Sequence, residues 1–422
     1  MMREMKESGI EWIGRIPEEW EVSLIGNLYD ERKEKVSDKD YAPLSVTKNG
    51  IVPQLETAAK TNDGDNRKLV KRGDFCINSR SDRKGSCGVS NYDGSVSLIN
   101  TILEPKTQNN IQYYNWLFRT SMFADEFYKW GHGIVDDLWT TRWQEMKNIS
   151  IVVPCIDEQC RIATFLDNKC SEIDQLISLQ EQFIEELKAY KQSVITEAVT
   201  KGLNPEVEMK ESGVEWIGRI PKEWKVSRVG LHYNIILGRM LCPKPLDETY
   251  TLEKYYCAAN VHFEGITGEL KQMWFSSQDK SIYKTKKDDL LIVEGGAGAG
   301  GCAILEESNE DIYIQNSIMI ARPKRDNNCR YLKYLIEQLV KKGYIDIVCN
   351  KATIPHFTKE KVSNVPFLVM PPNEQRAIAT YLDTKCAEID SLIALKQQKI
   401  DALKDYKKSM IYEYVTGKKQ LD

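Results

Sequence analysis

From Leu166 onward, apolar side chains recur every seven or fourteen residues as Leu166, Ile173, Leu187 and Val194, with Leu176, Phe183 and Tyr190 interleaved. A seven-residue apolar repeat separated by polar positions marks a helix that buries one narrow seam against another helix. The spacing returns as Leu382, Ile389, Leu403 and Met410, interleaved with Leu392 and Tyr406. Ile177 and Ile184, matched by Ile393 and Ile400, widen the stripe, and Gln180 and Lys396 interrupt it at equivalent points. A polar seam residue sets register at a cost in stability. No proline or glycine falls within 158–200 or 374–416, and Gly202 and Gly417 follow as stops. Asp157 and Asn373 stand where N-caps are expected, with Glu158 and Glu374 next, near the positive helix end. Some 43 residues at 1.5 Å each predict a rod of roughly 65 Å, too long for an ordinary globular helix.

Elsewhere the pattern changes. Short β-branched or aromatic runs such as DFCIN, DLLIV and DIYIQNSIMIA are bounded by Gly, Asn, Asp and Ser and predict strands. Helical stretches are predicted over 113–130 and 331–344, so each segment between the rods reads as a compact α+β domain.

The chain repeats itself. MKESGIEWIGRIPEEWEVSLIG at 5–26 and MKESGVEWIGRIPKEWKVSRVG at 209–230 agree at 17 of 22 positions, 204 residues apart. The rods at 158–200 and 374–416 agree at 26 of 43, 216 apart. Each copy is therefore a shared head, a variable middle and a shared rod, with the second middle longer by the 12-residue difference in offset. Two matching rods in one chain are most simply used by pairing them antiparallel about a pseudo-two-fold axis. The expected architecture is α+β: two globular domains joined by two long antiparallel coiled-coil helices. The expected boundaries are 1–155, 156–203, 204–371 and 372–422.

Charge is balanced, with 58 Lys and Arg against 62 Asp and Glu. The middles carry 18 basic and 18 acidic residues over 21–150, and 20 and 17 over 225–365, so neither is a polybasic clamp. Eleven cysteines without a Cys-x-x-Cys pair indicate neither a zinc ribbon nor a disulfide framework. The charged N-terminus lacks the apolar core of a signal peptide and no stretch reaches the length of a membrane span, so a soluble cytoplasmic protein is expected.

The order W-I-G-x-I-P-x-x-W, variable domain, then P…EQ…I…L opening a long helix, all repeated once, resembles the specificity subunits of type I restriction–modification enzymes. The segments that carry it are 11–20, 215–224, 154–174 and 371–390. The resemblance covers the whole chain. It implies two target-recognition domains, each reading one half of a bipartite, asymmetric site in double-stranded DNA across an uncontacted spacer. It implies rods that serve as spacer and dock two methyltransferase subunits, joined in some assemblies by restriction and translocase subunits. S-adenosylmethionine, ATP and Mg would then belong to those partners, and this chain would need no cofactor.

Candidate DNA contacts follow from side-chain chemistry, since Arg pairs with guanine edges, Asn with adenine, and Lys and Ser with phosphates. In the first copy they are Asn78, Ser79, Arg80, Arg83, Lys84 and Ser86, then Thr140, Thr141 and Arg142 just before the rod. In the second they are Gly296 and Gly298, then Lys351, Thr353 and His356. Trp139 either stacks on a base or anchors its loop. Trp12, Trp20, Trp216 and Trp224 are expected to clamp each head, since a duplicated motif does not read two different half-sites. The glycines of EGGAGAGG match a dinucleotide fingerprint, but no crossover helix is predicted to follow, so a hairpin turn is expected.

No Asn/Asp-Pro-Pro-aromatic motif and no Walker lysine loop occurs, and His132, His232, His262 and His356 lack metal-ligand spacing. Two rival readings remain. One is an endonuclease with magnesium held by the matched acids Asp167 and Asp383, or Asp174 and Asp390. The other is an adaptor of two binding domains that does not bind DNA.

Overall fold

In a computed structural model, which describes residues 3–56, 64–106, 108–133, 139–307, 311–349 and 355–421, the chain forms two compact units. One is Met1–Glu181 with Gln397–Asp422, and the other is Gln182–Lys396. Both unit boundaries fall within the two long helices, Ile156–Lys201 and Pro372–Val415. Each unit therefore owns part of both rods.

Within each unit the rods run antiparallel. In the first, Phe165 packs on Tyr414 at 4.5 Å between ring centroids, and Lys407 bonds Asp174 at 2.7 Å. Partner numbers fall as residue numbers rise. In the second, Lys396 lies over the Phe183 ring at 4.8 Å and Lys191 bonds Asp390 at 2.7 Å. The two lysine–aspartate bridges are repeat equivalents.

The seam differs in phase from the expected one. Leu166, Ile173, Val194, Leu382, Ile389 and Met410 are buried as anticipated, and Leu187 and Leu403 are half-buried. The interleaved Leu176, Phe183, Tyr190, Leu392 and Tyr406 are instead exposed, between 44% and 57%. The buried or half-buried series on the first rod is 166, 170, 173, 177, 180, 184, 187, 191, 194 and 198, so each heptad is completed at i+4 rather than i+3. A helix of 3.6 residues per turn accommodates either step, and wherever two apolar residues are adjacent, as at Leu176–Ile177, the sequence fits both. The inner positions take compact Cys170, Ile177 and Ile184, which let the rods approach. Burial pushes the Cys170 thiol up to about 11, so it packs as a neutral side chain.

Both rods begin before the residues expected to cap them, at the expected boundaries of 156 and 372. Asp157 and Asn373 lie inside the first turn, because Ile156 and Pro372 are already helical and the Gln159 and Gln375 amides donate to Cys155 and Pro371 carbonyls. Proline has no N–H to lose at the first helical position. The far ends match expectation: Gly202 and Gly417 adopt φ of +76° and +71°.

Each rod end is gripped by a head. Trp20 is fully buried, and its indole N–H donates to Glu158 at 2.8 Å. Trp224 is 2% exposed and donates to Glu374 at 3.2 Å. Gly417, at the end of the second rod, fits between Pro17 and Trp20, where an added Cβ would lie 2.4 Å from the proline ring. At Gly202, at the end of the first, an added Cβ would lie 3.3 Å from the Trp224 ring, tight but less so than at Gly417. Tyr113 and Tyr331 donate to the last-turn carbonyls of Val415 and Val199, and Gln159 and Gln375 accept from the amides of Asn110 and Asn328. Trp12 packs edge-on against Phe123, and Trp216 against Tyr344.

The bodies share one four-stranded antiparallel sheet. Its order in the first unit is Tyr29–Glu31, Asn100–Pro105, Phe75–Asn78, Cys87–Val89; in the second it is Tyr233–Leu237, Ile318–Pro323, Leu290–Val293, Cys302–Ile304. DFCIN and DLLIV form central strands as expected. DIYIQNSIMIA splits into Tyr313–Ile314 and Ile318–Pro323, because its polar Gln-Asn-Ser centre makes a turn. The helix expected over 113–130 is two, Ile111–Phe118 and Ser121–Lys129, divided at Thr120, which caps the second. That expected over 331–344 is Cys329–Lys341, ended by Gly343 at φ +81°. The repeat offset is 204 at the first of these strands and 215 at Phe75–Asn78 and Leu290–Val293, so most of the extra length of the second unit enters between them.

Gly417→Ala is expected to lower the first unit's stability by roughly 2–3 kcal/mol, combining a strained positive φ with a clash against the rigid Pro17 ring. Gly202→Ala, which shares the strained φ but needs the Trp224 ring to give by only a few tenths of an ångström, is expected to cost less, about 1–2 kcal/mol. Denaturant titration of the two full-length variants checks the ranking, and an equal loss would contradict it.

Candidate nucleic-acid interface

In each unit, two loops far apart in sequence meet beside the central strand. In the first, Arg80 bridges to Thr140, the Ser81 amide donates to the Trp139 carbonyl at 3.1 Å, and the Thr141 amide donates to Ser79 at 3.0 Å. In the second, Gly295 bridges to His356, the Gly296 amide donates to Pro355 at 3.2 Å, and the Phe357 amide donates to Glu294 at 2.6 Å. At the local offsets of 215 and 216, Gly295 stands where Arg80 does, and His356 where Thr140 does. The two sites are one construction carrying different side chains.

The first site sorts its candidates by burial. Ser79, Ser86 and Thr141 are 5%, 5% and 0% exposed. Ser79 shares a hydrogen bond with Thr101 at 3.1 Å, and Thr141 donates to the Phe127 carbonyl at 2.8 Å. These three are buried, and the Ser79 and Thr141 hydroxyls are spent on supporting the loop from within. Asn78 is also engaged, accepting from the Arg80 amide at 3.0 Å. Trp139 donates to the Tyr128 carbonyl at 2.8 Å and covers Gly131, so it anchors.

Arg80, Arg83, Lys84 and Arg142 are exposed. Arg83 lies 3.6 Å from Asp82, and Lys84 reaches Asp125. Such exposed pairs contribute little and exchange readily. Neither Arg80 nor Arg142 makes an ion pair among the described residues. Thr140 is half-buried, its amide and carbonyl both paired with His132 at 3.0 and 2.9 Å. A guanidinium held out on a pinned backbone can make bidentate contact with a guanine edge or a phosphate.

In the second unit the glycine loop closes a hairpin, for Leu290–Val293 pairs antiparallel with Cys302–Ile304 and no helix follows. Gly296 takes φ +87° and Gly298 is exposed at the tip. The exposed His356 lies 3.2 Å from Glu294, its ring over Gly295, where an added Cβ would stand 2.9 Å from Nδ1. Gly295 and Glu294 were not picked out in the sequence. The repeated Gly-Gly pair was the available signal, but which glycine needs its space depends on His356 across the bridge. Lys351 and Thr353 lie outside the described residues.

The matched acids are occupied. Asp167 accepts from Gln112 and Trp116 at 2.9 and 2.8 Å, and Asp383 from Tyr334 at 2.7 Å and Arg330 at 3.3 Å. Asp174 and Asp390 hold the rod lysines. Among the described residues no cluster of three or more His, Cys, Asp or Glu could hold a metal ion, and no helix is long and apolar enough to cross a membrane.

Residues 221–405 match the type I restriction modification DNA specificity domain. The type I restriction enzyme MjaVIII specificity subunit of Methanocaldococcus jannaschii is 24% identical, covering 96% of this chain and 94% of its own length. A chain from a solved type I R-M system superposes with a TM-score of 0.73 at 15% identity over 95% of this chain and 98% of its own. The HsdS subunit of Thermoanaerobacter tengcongensis superposes at 0.57 and 16% identity over 95% and 98%. The chain thus carries a sequence match to that specificity domain over 221–405 and shares the fold of these solved chains over nearly its whole length.

Proposed function

We propose that the chain is the non-catalytic DNA-specificity subunit of a type I restriction–modification complex, reading a bipartite asymmetric site with an uncontacted spacer. The observation that carries this is the paired-loop site built twice on matched supports and furnished differently: Arg80 with Thr140 in one unit, Gly295 with His356 in the other. Equivalent frames with unlike tips suit two unlike half-sites. Residues 1–155 and 204–371 are then the recognition domains, with 21–150 and 225–365 as their variable middles. The engaged state of the four matched acids supports a subunit that leaves chemistry to partners, which would carry S-adenosylmethionine, ATP and Mg in the cytoplasm.

The rods also repeat an outward surface. Leu176, Leu179 and Tyr406 are exposed in the first unit, and their equivalents Leu392, Leu395 and Tyr190 in the second, all at 44–60%. Apolar groups left in water at two equivalent places suit two copies of one protein, here two methyltransferase subunits, with restriction or translocase subunits joining through them.

Exchanging residues 21–150 for those of another specificity subunit is expected to change one half of the split motif seen by methylation mapping. A change in both halves, or no split motif from the native complex, would refute the reading.

Arg80→Ala is expected to weaken discrimination at one position of that half-site by about 1–3 kcal/mol without moving the melting temperature. Thr141→Val should do the converse, losing about 1–3 kcal/mol of stability by stranding the Phe127 carbonyl. Paired melting and binding curves separate the two roles.

Leu176→Asp with Leu392→Asp is expected to weaken methyltransferase assembly at least tenfold, since each side chain would bury apolar area at about 25 cal/mol per Å². Sedimentation of the mixture checks this, and the specificity subunit's own fold should be unaffected.

A further inference from the structure

The second unit is longer than the first mainly between Tyr233–Leu237 and Leu290–Val293. The stretch that opens this region, GRMLCPKPLDETY at 238–250, differs in kind from RKEKVSDKDYAP at 32–43, which follows the equivalent strand. The first-unit stretch has seven charged residues in twelve. The second-unit stretch presents Met240, Leu241 and Leu246 at 75%, 57% and 73% exposure.

This is not a slack tail. Gly238 is buried, and an added Cβ would lie 2.3 Å from the Gln315 carbonyl oxygen, so the chain enters under tight steric control. Arg239 bridges to Gln315 and its side chain donates to Asp279 at 2.5 Å. Buried Cys242 ties the middle down, its carbonyl accepting from the Trp274 amide at 3.0 Å. Pro243 and Pro245 limit the freedom of what remains. The apolar tips are therefore held out on a fixed base.

Backbone hydrogen bonds connect that base to the paired-loop site. The Asn316 amide donates to the Arg239 carbonyl at 2.8 Å, the Glu294 amide to Ser317 at 2.8 Å, and the Phe357 amide to Glu294. The apolar loop, the 315–317 turn, the glycine hairpin and the His356 loop thus follow one another along one edge of the unit.

We infer that Met240, Leu241 and Leu246 form an apolar DNA-reading element of the second unit, placed against bases of its half-site beside the His356–Gly295 loops. This rests on the proposed specificity role. Two facts favour DNA over the methyltransferase as the occupant. A partner bound twice by the rods would dock on surfaces that both units possess, whereas among the described residues the stretch at 32–43 exposes a single large apolar side chain, Tyr41 at 37%. The half-site is what the two units are expected not to share. Apolar side chains read DNA by contact with thymine methyl groups or by wedging at a base step.

The test uses the full-length chain, with Met240, Leu241 and Leu246 all changed to Ser, assembled with its methyltransferase subunits. The native complex first defines the split motif by methylation mapping; no split motif there would sink the specificity reading rather than this inference. Given a motif, the triple variant is expected to relax at least one position in the half-site lost on exchange of 225–365, leaving the other half intact. Its preference for the cognate duplex over a random duplex should fall at least tenfold. Melting and DNA-free assembly should match the native protein, and Met240→Leu alone should keep the native motif. An unchanged motif and preference would overturn the inference. So would loss of DNA-free assembly, which would reassign the loop to a protein partner, or equal relaxation of both half-sites.

Discussion

The structure depends on where each head finds its walls. Trp20 needs the start of the first rod for its indole hydrogen bond and the end of the second for its packing, through Glu158 and Gly417. Trp224 needs the start of the second and the end of the first, through Glu374 and Gly202. Neither body can complete its core with its own rod alone. A buried tryptophan contributes several kcal/mol through area and packing, enough to make this arrangement decisive in a marginally stable unit. Antiparallel pairing is then a condition for finishing either core, and the seam fixes the register in which it happens.

The matched bonds show what the repeat preserves. The Trp–Glu, Tyr–carbonyl and Gln–amide contacts and the Lys–Asp bridges recur in both units. All join a body to a rod or one rod to the other. The exposed bridges contribute only about 0–1 kcal/mol each. Their recurrence argues for register, while the buried tyrosines and tryptophans supply most of the hold. Beyond the four-stranded sheet and the paired loops the matching stops: the second sheet has order Gly94–Val96, Arg67–Val70, Lys35–Val36 in one unit and Lys271–Phe275, Thr251–Tyr256, Tyr313–Ile314 in the other, where one pairing is parallel.

Duplication made the frame legible in the sequence, because closely matching heads and rods announce that both copies solve one packing problem. The strands at 75–78 and 290–293 were legible because a short apolar run between turn residues has few alternatives. The seam phase was not, since Leu176 and Phe183 are as apolar as Ile177 and Ile184 and only a partner helix distinguishes them. The caps were misplaced by two residues because Asp157 and Asn373 suit a first turn as well as a cap. At the site, chemistry picked out both loops of each pair but not their meeting. Nothing local says that Ser79 and Thr141 share a hydrogen bond, or that Ser79, Ser86 and Thr141 are therefore lost to the surface.

The meeting of the loops also limits how specificity can change. At the equivalent bridge each unit sets one smaller residue against one larger: Thr140 against Arg80, and Gly295 under His356. The ring leaves no room for a Cβ on Gly295, so a long side chain there would have to displace His356. The two positions are coupled by volume, as packed neighbours are. Transplanting Arg80 alone into the second unit would distort the loop before it offered a new contact, whereas moving both members of the pair keeps the bridge filled. The pair of loops, rather than either loop alone, is thus the physical unit within which a substitution must fit.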